Sequence, residues 1–186
     1  GRGRPGNLGK EDIYGATAAN GGWSAPIPLA GLNTAAENEA PLSVSVDGTI
    51  LLLFRDGDLY YVNRTARGWS APQAFPEPVN TRFWEGDAML TADGRAIVFS
   101  SNRPGGENLH VRQNYYHGNN NYASDLYICE RTAEGWGPAI NLGKAVNTRF
   151  CERSPFLHPD LKTLYFSSDG QYGLGDLDVF MVKRLS

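Results

Sequence analysis

Asp58-Leu59-Tyr60-Tyr61-Val62-Asn63-Arg64-Thr65-Ala66-Arg67-Gly68-Trp69-Ser70-Ala71-Pro72 is the stretch that decides the fold. An acid, an apolar residue and an aromatic open a run of β-branched and aromatic side chains, and a glycine-tryptophan pair starts the next run. The same opening recurs as Asp12-Ile13-Tyr14, Asp125-Leu126-Tyr127 and Asp178-Val179-Phe180. Eleven residues after each of the first three aspartates stands a tryptophan, Trp23, Trp69 or Trp136. Then come an Asn-Thr pair (Asn33-Thr34, Asn80-Thr81, Asn147-Thr148) and an acid, Glu39, Glu85 or Glu152. Each acid leads into a strand, a turn (Val46-Asp47-Gly48, Ala92-Asp93-Gly94, Pro159-Asp160-Leu161) and a second strand. Only one spacing varies widely: turn aspartate to the next Asp-x-aromatic is 11, 32 and 18 residues. One hairpin loop therefore absorbs nearly all the length change.

The shortest unit, 46 residues from tryptophan to tryptophan, holds four short strands: Pro41–Val46, Thr49–Arg55, Asp58–Arg64 and Gly68–Phe75. Glycine (22) and proline (11) exceed ordinary usage among 186 residues, yet aromatics stay at 11%, which fits tight turns between many strands. No helical apolar stripe runs twelve residues without a glycine or proline. The reading is all-β, and a unit of this size matches one four-stranded antiparallel blade of a β-propeller.

Phe99-Ser100-Ser101-Asn102-Arg103-Pro104-Gly105-Gly106, Ser124-Asp125-Leu126-Tyr127 and Gly135-Trp136-Gly137-Pro138 resemble the TolB-type, WD-like β-propeller repeat. That repeat occurs in OmpA-family envelope proteins of Bacteroidota-type bacteria, in some members within secretion or gliding machinery. The resemblance covers nearly the whole chain. The first full unit departs from it, with Phe54-Arg55-Asp56-Gly57 for the Ser-Ser-Asn-Arg loop, and the third lacks glycine after its turn aspartate. It implies a periplasmic or outer-membrane-associated scaffold whose partners are other envelope proteins.

In blade terms the chain divides into 1–29 (third and fourth strands only), 40–75, 86–143 with an insertion at 103–123, and 153–185 without a last strand. That is 13 strands, or three and a quarter blades, so the chain is expected to be an arc of a six- to eight-bladed ring. Two chains closing one ring is the rival expectation.

Charge and hydropathy narrow the function. Twenty acidic and 17 basic side chains give −3, which provides no field for nucleic-acid backbones. The longest apolar run, Ile50 to Phe54, falls far short of the roughly 18 residues of a spanning helix. The start, Gly1-Arg2-Gly3-Arg4-Pro5-Gly6, has no apolar stretch behind its charges, as expected of a processed chain or a fragment.

Several motifs have a structural reading and a functional one. Gly1-x-Gly3-x-x-Gly6 matches a dinucleotide fingerprint in letters but lacks the strand before and helix after it that the chemistry needs. Trp23, Trp69 and Trp136 and the aspartates Asp12, Asp58, Asp125 and Asp178 recur once per unit, as packing and turn residues do. Among His110, His117 and His158 none has i, i+4 zinc spacing, and Cys-x-x-Cys and Gly-x-Ser-x-Gly are absent. No catalytic, metal or cofactor residue is assigned. Cys129 and Cys151 are either buried thiols or a disulfide closing a loop of about 20 residues. Asn63-Arg64-Thr65 reads as a chance sequon.

The insertion is the functional signal. Tyr115, Tyr116, His117, Asn119, Asn120 and Tyr122 combine flat apolar faces with adaptable hydrogen bonding. Strand alternation places this loop on the same side as Arg82-Phe83-Trp84 and Arg149-Phe150. The expected activity is non-enzymatic protein–protein binding through these residues, with Trp84, Arg82 and Phe150 in the surface. A glycan- or peptidoglycan-binding module and a propeller enzyme, a glycosidase or a peptidase propeller, are the alternatives.

Overall fold

The structure, a computed structural model, describes residues 11–19, 21–108, 114–116, 119–121 and 123–184. Among the described residues there is no helix, and every strand pairs antiparallel. Four two-residue strands come first: β1 (Tyr14–Gly15), β2 (Ala18–Ala19), β3 (Gly22–Trp23) and β4 (Ile27–Pro28), with β1 on β4 and β2 on β3. A meander follows: β5 (Glu39–Val44), β6 (Ile50–Arg55) and β7 (Asp58–Thr65), with β8 (Gly68–Trp69) and β9 (Gln73–Ala74) both on β7. The pattern repeats as β10 (Glu85–Leu90), β11 (Ala96–Ser101), β14 (Asp125–Thr132), β15 (Gly135–Trp136) and β16 (Ile140–Asn141). Between β11 and β14 the insertion forms a separate hairpin, β12 (Asn114–Tyr116) with β13 (Asn119–Asn121). The last meander is β17 (Glu152–Leu157), β18 (Thr163–Ser168) and β19 (Asp178–Lys183).

The expected strand Gly68–Phe75 is two short strands, and so is its counterpart at 135–141. Pro72 and Pro138 have no N–H to give, so the ladder lapses around each proline and resumes beyond it. A bulge breaks the first strand of each meander, at Pro41/Ser43, Gly86/Met89 and Arg153/Phe156. Asp87 and Ser154 take positive φ there, 43° and 50°, which bends those strands.

The meanders stack face to face. Leu52 and Leu59 of the first pack with Leu90, Ile97, Phe99 and Tyr127 of the second, closed by Phe75 and Val79 from the connection between them. Leu126 and Val146 of the second meet Leu164 and Phe166 of the third in the same manner. Ile13 and Leu32 meet Leu51, Leu53 and Val62. Central strands such as β6 are buried on both faces, which is why they read as continuous apolar runs. The first strands come together on one side, where Ser43 Oγ donates to Ala88 O at 2.9 Å and Leu157 N to Met89 Sδ at 2.9 Å.

The recurring polar residues hold these layers. The Asn side chain of each Asn-Thr pair reaches back to strand backbone: Asn33 bonds N and O of Ile13, Asn80 those of Leu59, and Asn147 those of Leu126. The Glu is a second tie. Glu85 is wholly buried and accepts from Thr81 N (2.8 Å), Thr81 Oγ1 (2.8 Å), Ser101 Oγ (2.7 Å) and Arg103 Nη2 (3.2 Å). Glu152 repeats this with Thr148 and Ser168. Glu39 accepts from Thr34 N, and Arg55 Nε lies 3.4 Å from its carboxylate. Trp69 and Trp136 pack on neighbouring cores under Arg64 and Arg131 at 5.0 and 4.8 Å, whereas Trp23 is exposed.

Two tests follow from these ties. Asn80→Ala removes the partner of the Leu59 N–H and of the Phe75 carbonyl in the interior, while Leu59 O keeps the Phe75 N–H, so urea unfolding is expected to show a loss of about 3 kcal/mol. Asn33→Ala, in a half-exposed setting, is expected to cost less than half as much. The turn carboxylate Asp47 accepts from Ser45 Oγ, Thr49 Oγ1 and Thr49 N, which lowers its pKa from 3.8 to about 2. A depressed carboxylate stabilises the fold above its unfolded pKa and loses that contribution as pH falls through the folded one. Thermal melts between pH 5 and pH 2 are thus expected to fall less steeply for Asp47→Asn than for the wild type (window from about 4 down to about 2).

Candidate binding face

The insertion leaves β11 at Ser101 and returns at Asp125, and its base is fixed at several points. Ser101 Oγ accepts from Arg103 N (3.1 Å) and Nε (2.9 Å), which turns the guanidinium back across the sheet. There Arg103 lies 5.0 Å over the Phe99 and Tyr127 rings and donates to Pro78 O and Val79 O. Asp125 Oδ2 accepts from Glu107 N (2.6 Å) and from Asn141 Nδ2 (2.7 Å). Asn141 Oδ1 in turn takes Asn147 Nδ2 at 2.9 Å, so the loop base, the last strand and the following connection share one hydrogen-bonded chain. A Cβ at Gly106 would overlap Asp125 Oδ2 and sit 2.6 Å from the Tyr127 hydroxyl, so only glycine lets the loop lie this close. Burial raises the Asp125 carboxyl above its ordinary range, against the bonds from Glu107 N and Asn141.

These ties set the insertion between two connections, the one at 76–84 through Arg103 and the one at 142–151 through Asn141 and Lys144 Nζ, 4.0 Å from Glu107. Both connections carry Thr-Arg-Phe. Arg82 and Arg149 are exposed and lie over the neighbouring rings of Phe83 and Phe150 at 5.0 and 5.1 Å. Phe150 is half-buried. Tyr115 and Tyr116 sit on β12, paired with Asn120 and Asn119 of β13. His117 and Tyr122 lie outside the described residues, as do His110 and the Gly1-Gly3-Gly6 motif.

Trp84 does not join this surface. It is 8% exposed, with the Phe54 ring 6.1 Å away and the Arg153 guanidinium 4.7 Å over its face. Gly86 makes room for it, since a Cβ there would overlap the indole. Trp84 thus joins three meanders and is an interior residue rather than a contact residue. Sequence reading also missed Arg153, which is 1% exposed and has Nη1 4.0 Å from Asp87 Oδ2. Its only trace is an arginine where the other units carry Ala40 and Gly86.

The remaining recurrent residues take turn and packing positions. Asp178 Oδ2 accepts from Leu174 N and Gly175 N, the counterpart of the Asp125 bond to Glu107 N. Asp58 and Asp12 are half-buried at the same position. His158 bonds within its own turn to Asp160 N. Cys129 and Cys151 are free thiols, which removes the disulfide reading. Cys129 lies in the core between meanders, where burial pushes its thiol up to about 11. Among the described residues no group of three or more His, Cys, Asp and Glu side chains is placed to hold a metal.

A cleft of about 400 Å³ lies where the first strands meet, lined by Leu42, Ser43, Met89, Pro155 and Phe156 among others. Its one acid is Asp87, within reach of Ser100 Oγ (3.5 Å) and Arg153. No family model matches the chain, and no curated protein matches it in sequence.

The contrast between Trp84 and Arg82 is testable. Trp84→Ala is expected to lower the unfolding free energy by about 3–5 kcal/mol. Arg82→Ala is expected to stay within about 0.5 kcal/mol of wild type in the same urea titration.

Proposed function

We propose that the meanders are blades of a β-propeller arc acting as a non-enzymatic scaffold, which binds another protein in a bacterial cell envelope, at the outer membrane or in the periplasm. One observation carries the binding role: the one long insertion in the sequence forms its own hairpin, and its base is tied to two connections whose exposed arginines, Arg82 and Arg149, lie over half-buried phenylalanines. A rigid mount under an aromatic and amide-rich tip suits docking by shape, with little ordering cost at the base. The blade reading is supported by antiparallel meanders stacked face to face with their first strands meeting on one side. The envelope setting rests on the resemblance of Phe99 to Gly106 and its companion motifs.

The recurrent acids and amides are engaged in holding the layers, which favours a scaffold over an enzyme. The same tyrosines and asparagines suit sugar faces and edges, so glycan or peptidoglycan binding is the second reading. The scaffold needs no metal or cofactor.

The deciding experiment pairs the double variant Tyr115→Ala/Tyr116→Ala with wild type. Crosslinking in an envelope fraction is expected to join wild type to a discrete protein that the variant loses, with unchanged thermal melting. Equal crosslinking by both would overturn the assignment to this hairpin. Loss confined to a glycan array would favour the second reading.

A further inference from the structure

Between the first two meanders lies a groove of about 550 Å³, a volume ordinary for a small-molecule site. Tyr61, Asn63 and Phe75 of the first meander line one side, and Arg131, Thr132 and Trp136 of the second line the other. Both walls are sheets already stacked on each other, so a further repeat has no place between them. The groove lies at the far end of β14 from the insertion, which enters that strand at Asp125.

Its aromatic walls break the repeat. Three residues after the first three Asp-x-aromatic aspartates stand Gly15, Tyr61 and Ile128, and six after each recurring tryptophan stand Leu29, Phe75 and Leu142. The second set is equivalent in structure too, since the N–H groups of Leu29, Phe75 and Leu142 donate to Ile13 O, Leu59 O and Leu126 O. Leucine serves the stacking at both other positions, yet here the Phe75 ring has Tyr61 at 5.0 Å and Trp136 at 5.8 Å. Tyr61 is held in this pose by its hydroxyl, which donates to Gln73 Oε1 at 2.6 Å. Charge is equally one-sided, because Arg131 is the one charged residue among those lining the groove. Its exposed side chain lies 4.8 Å over the Trp136 ring and makes no ion pair among the described residues. Past Ile50 and Leu90 the groove runs on to Asp47 and Asp93, whose carboxylates are engaged by Ser45, Thr49 and Thr91 of their own turns.

We propose that this groove binds a small aromatic carboxylate, with its ring against Tyr61, Phe75 and the Arg131 guanidinium and its carboxylate on the Arg131 N–H groups. A guanidinium stacked on an indole keeps its other face for a second ring and its planar N–H edge for a carboxylate. The third unit's interface lacks both halves of this arrangement: Ile128 and Leu142 replace the aromatic walls, and Glu130 stands at the position of Asn63.

Naphthalene carboxylate is the probe, titrated into the full chain while the indole N–H resonances of Trp23, Trp69, Trp84 and Trp136 are followed by NMR, with Trp136→Phe giving the assignment. A saturable shift at Trp136 is expected, with a dissociation constant of about 1 mM or tighter, and little change at Trp23 and Trp69. Naphthalene carboxamide, the same shape without the charge, is expected to bind about tenfold more weakly, and Arg131→Gln to weaken the carboxylate by a similar factor. Tyr61→Ile and Phe75→Leu introduce side chains that other units carry at these positions, so both are expected to fold and to lose about tenfold in binding. Thermal melts check the folding, and Tyr61→Ile, at a half-buried site, stands alone if Phe75→Leu melts early. No saturable shift at Trp136, an equal response to the carboxamide, or full binding by Arg131→Gln or Tyr61→Ile would overturn the site. Shifts at Trp23 and Trp69 as large as that at Trp136 would also overturn it, as general adsorption. None of these outcomes touches the binding role of the insertion, which uses a different surface.

Discussion

A buried carboxylate begins the first strand of each meander, and the layers take their positions from it. Glu85 has no exposed surface, so its charge must be met by the protein, and it is met by one backbone N–H, two hydroxyls and a guanidinium. Those four donors come from the incoming connection, the second strand and the loop after it. Holding them on one group fixes where each meander starts and how its loop leaves. The three copies are not equal. Glu39 and Glu85 have an arginine beside them, whereas Glu152 has Gln171 at the loop position, and that amide bonds Val146 O instead. Burial raises the Glu152 carboxyl above its ordinary range, against the bonds from Thr148 and Ser168.

The Asn bridges work at right angles to this tie. They take the strand N–H and share the strand carbonyl with the N–H of Phe75 or Leu142, so each connection is stitched to the sheet it leaves before it enters the next. Together the two ties account for the near-constant spacings in the sequence: from the tied Asn to the tied Glu is six residues at Asn33–Glu39 and five in the other two units. The one segment outside both ties is the loop between second and third strands, and there the length varies.

The same logic explains what could be read from sequence. Asp125, Asn147, Trp136 and the Thr163–Ser168 strand were legible because each recurs at fixed spacing and acts within its own unit or the next. Trp84 was not legible. It stands between an exposed arginine motif and a strand, and its burial depends on Phe54 and Arg153, each more than one strand away in sequence. Arg153 was hidden for the same reason, since a buried arginine is recognised only once an aromatic face and a carboxylate are known to meet it. The split of the fourth strand was legible in principle, as Pro72 and Pro138 were in view. The proposed binding tip is singled out by composition and variable length, the two signals that packing does not generate.

The tie of Glu107 N to Asp125 has a consequence for chain entropy. Lengthening an untethered loop from the two residues between β6 and β7 to the 23 between β11 and β14 adds only about 2 kcal/mol of closure cost. Fixing residue 107 against the sheet removes part of the free length, so the strands below feel a short loop whatever stands above. Selection can therefore rewrite the tip, in sequence or in size, at almost no cost to the melting of the sheets that carry it.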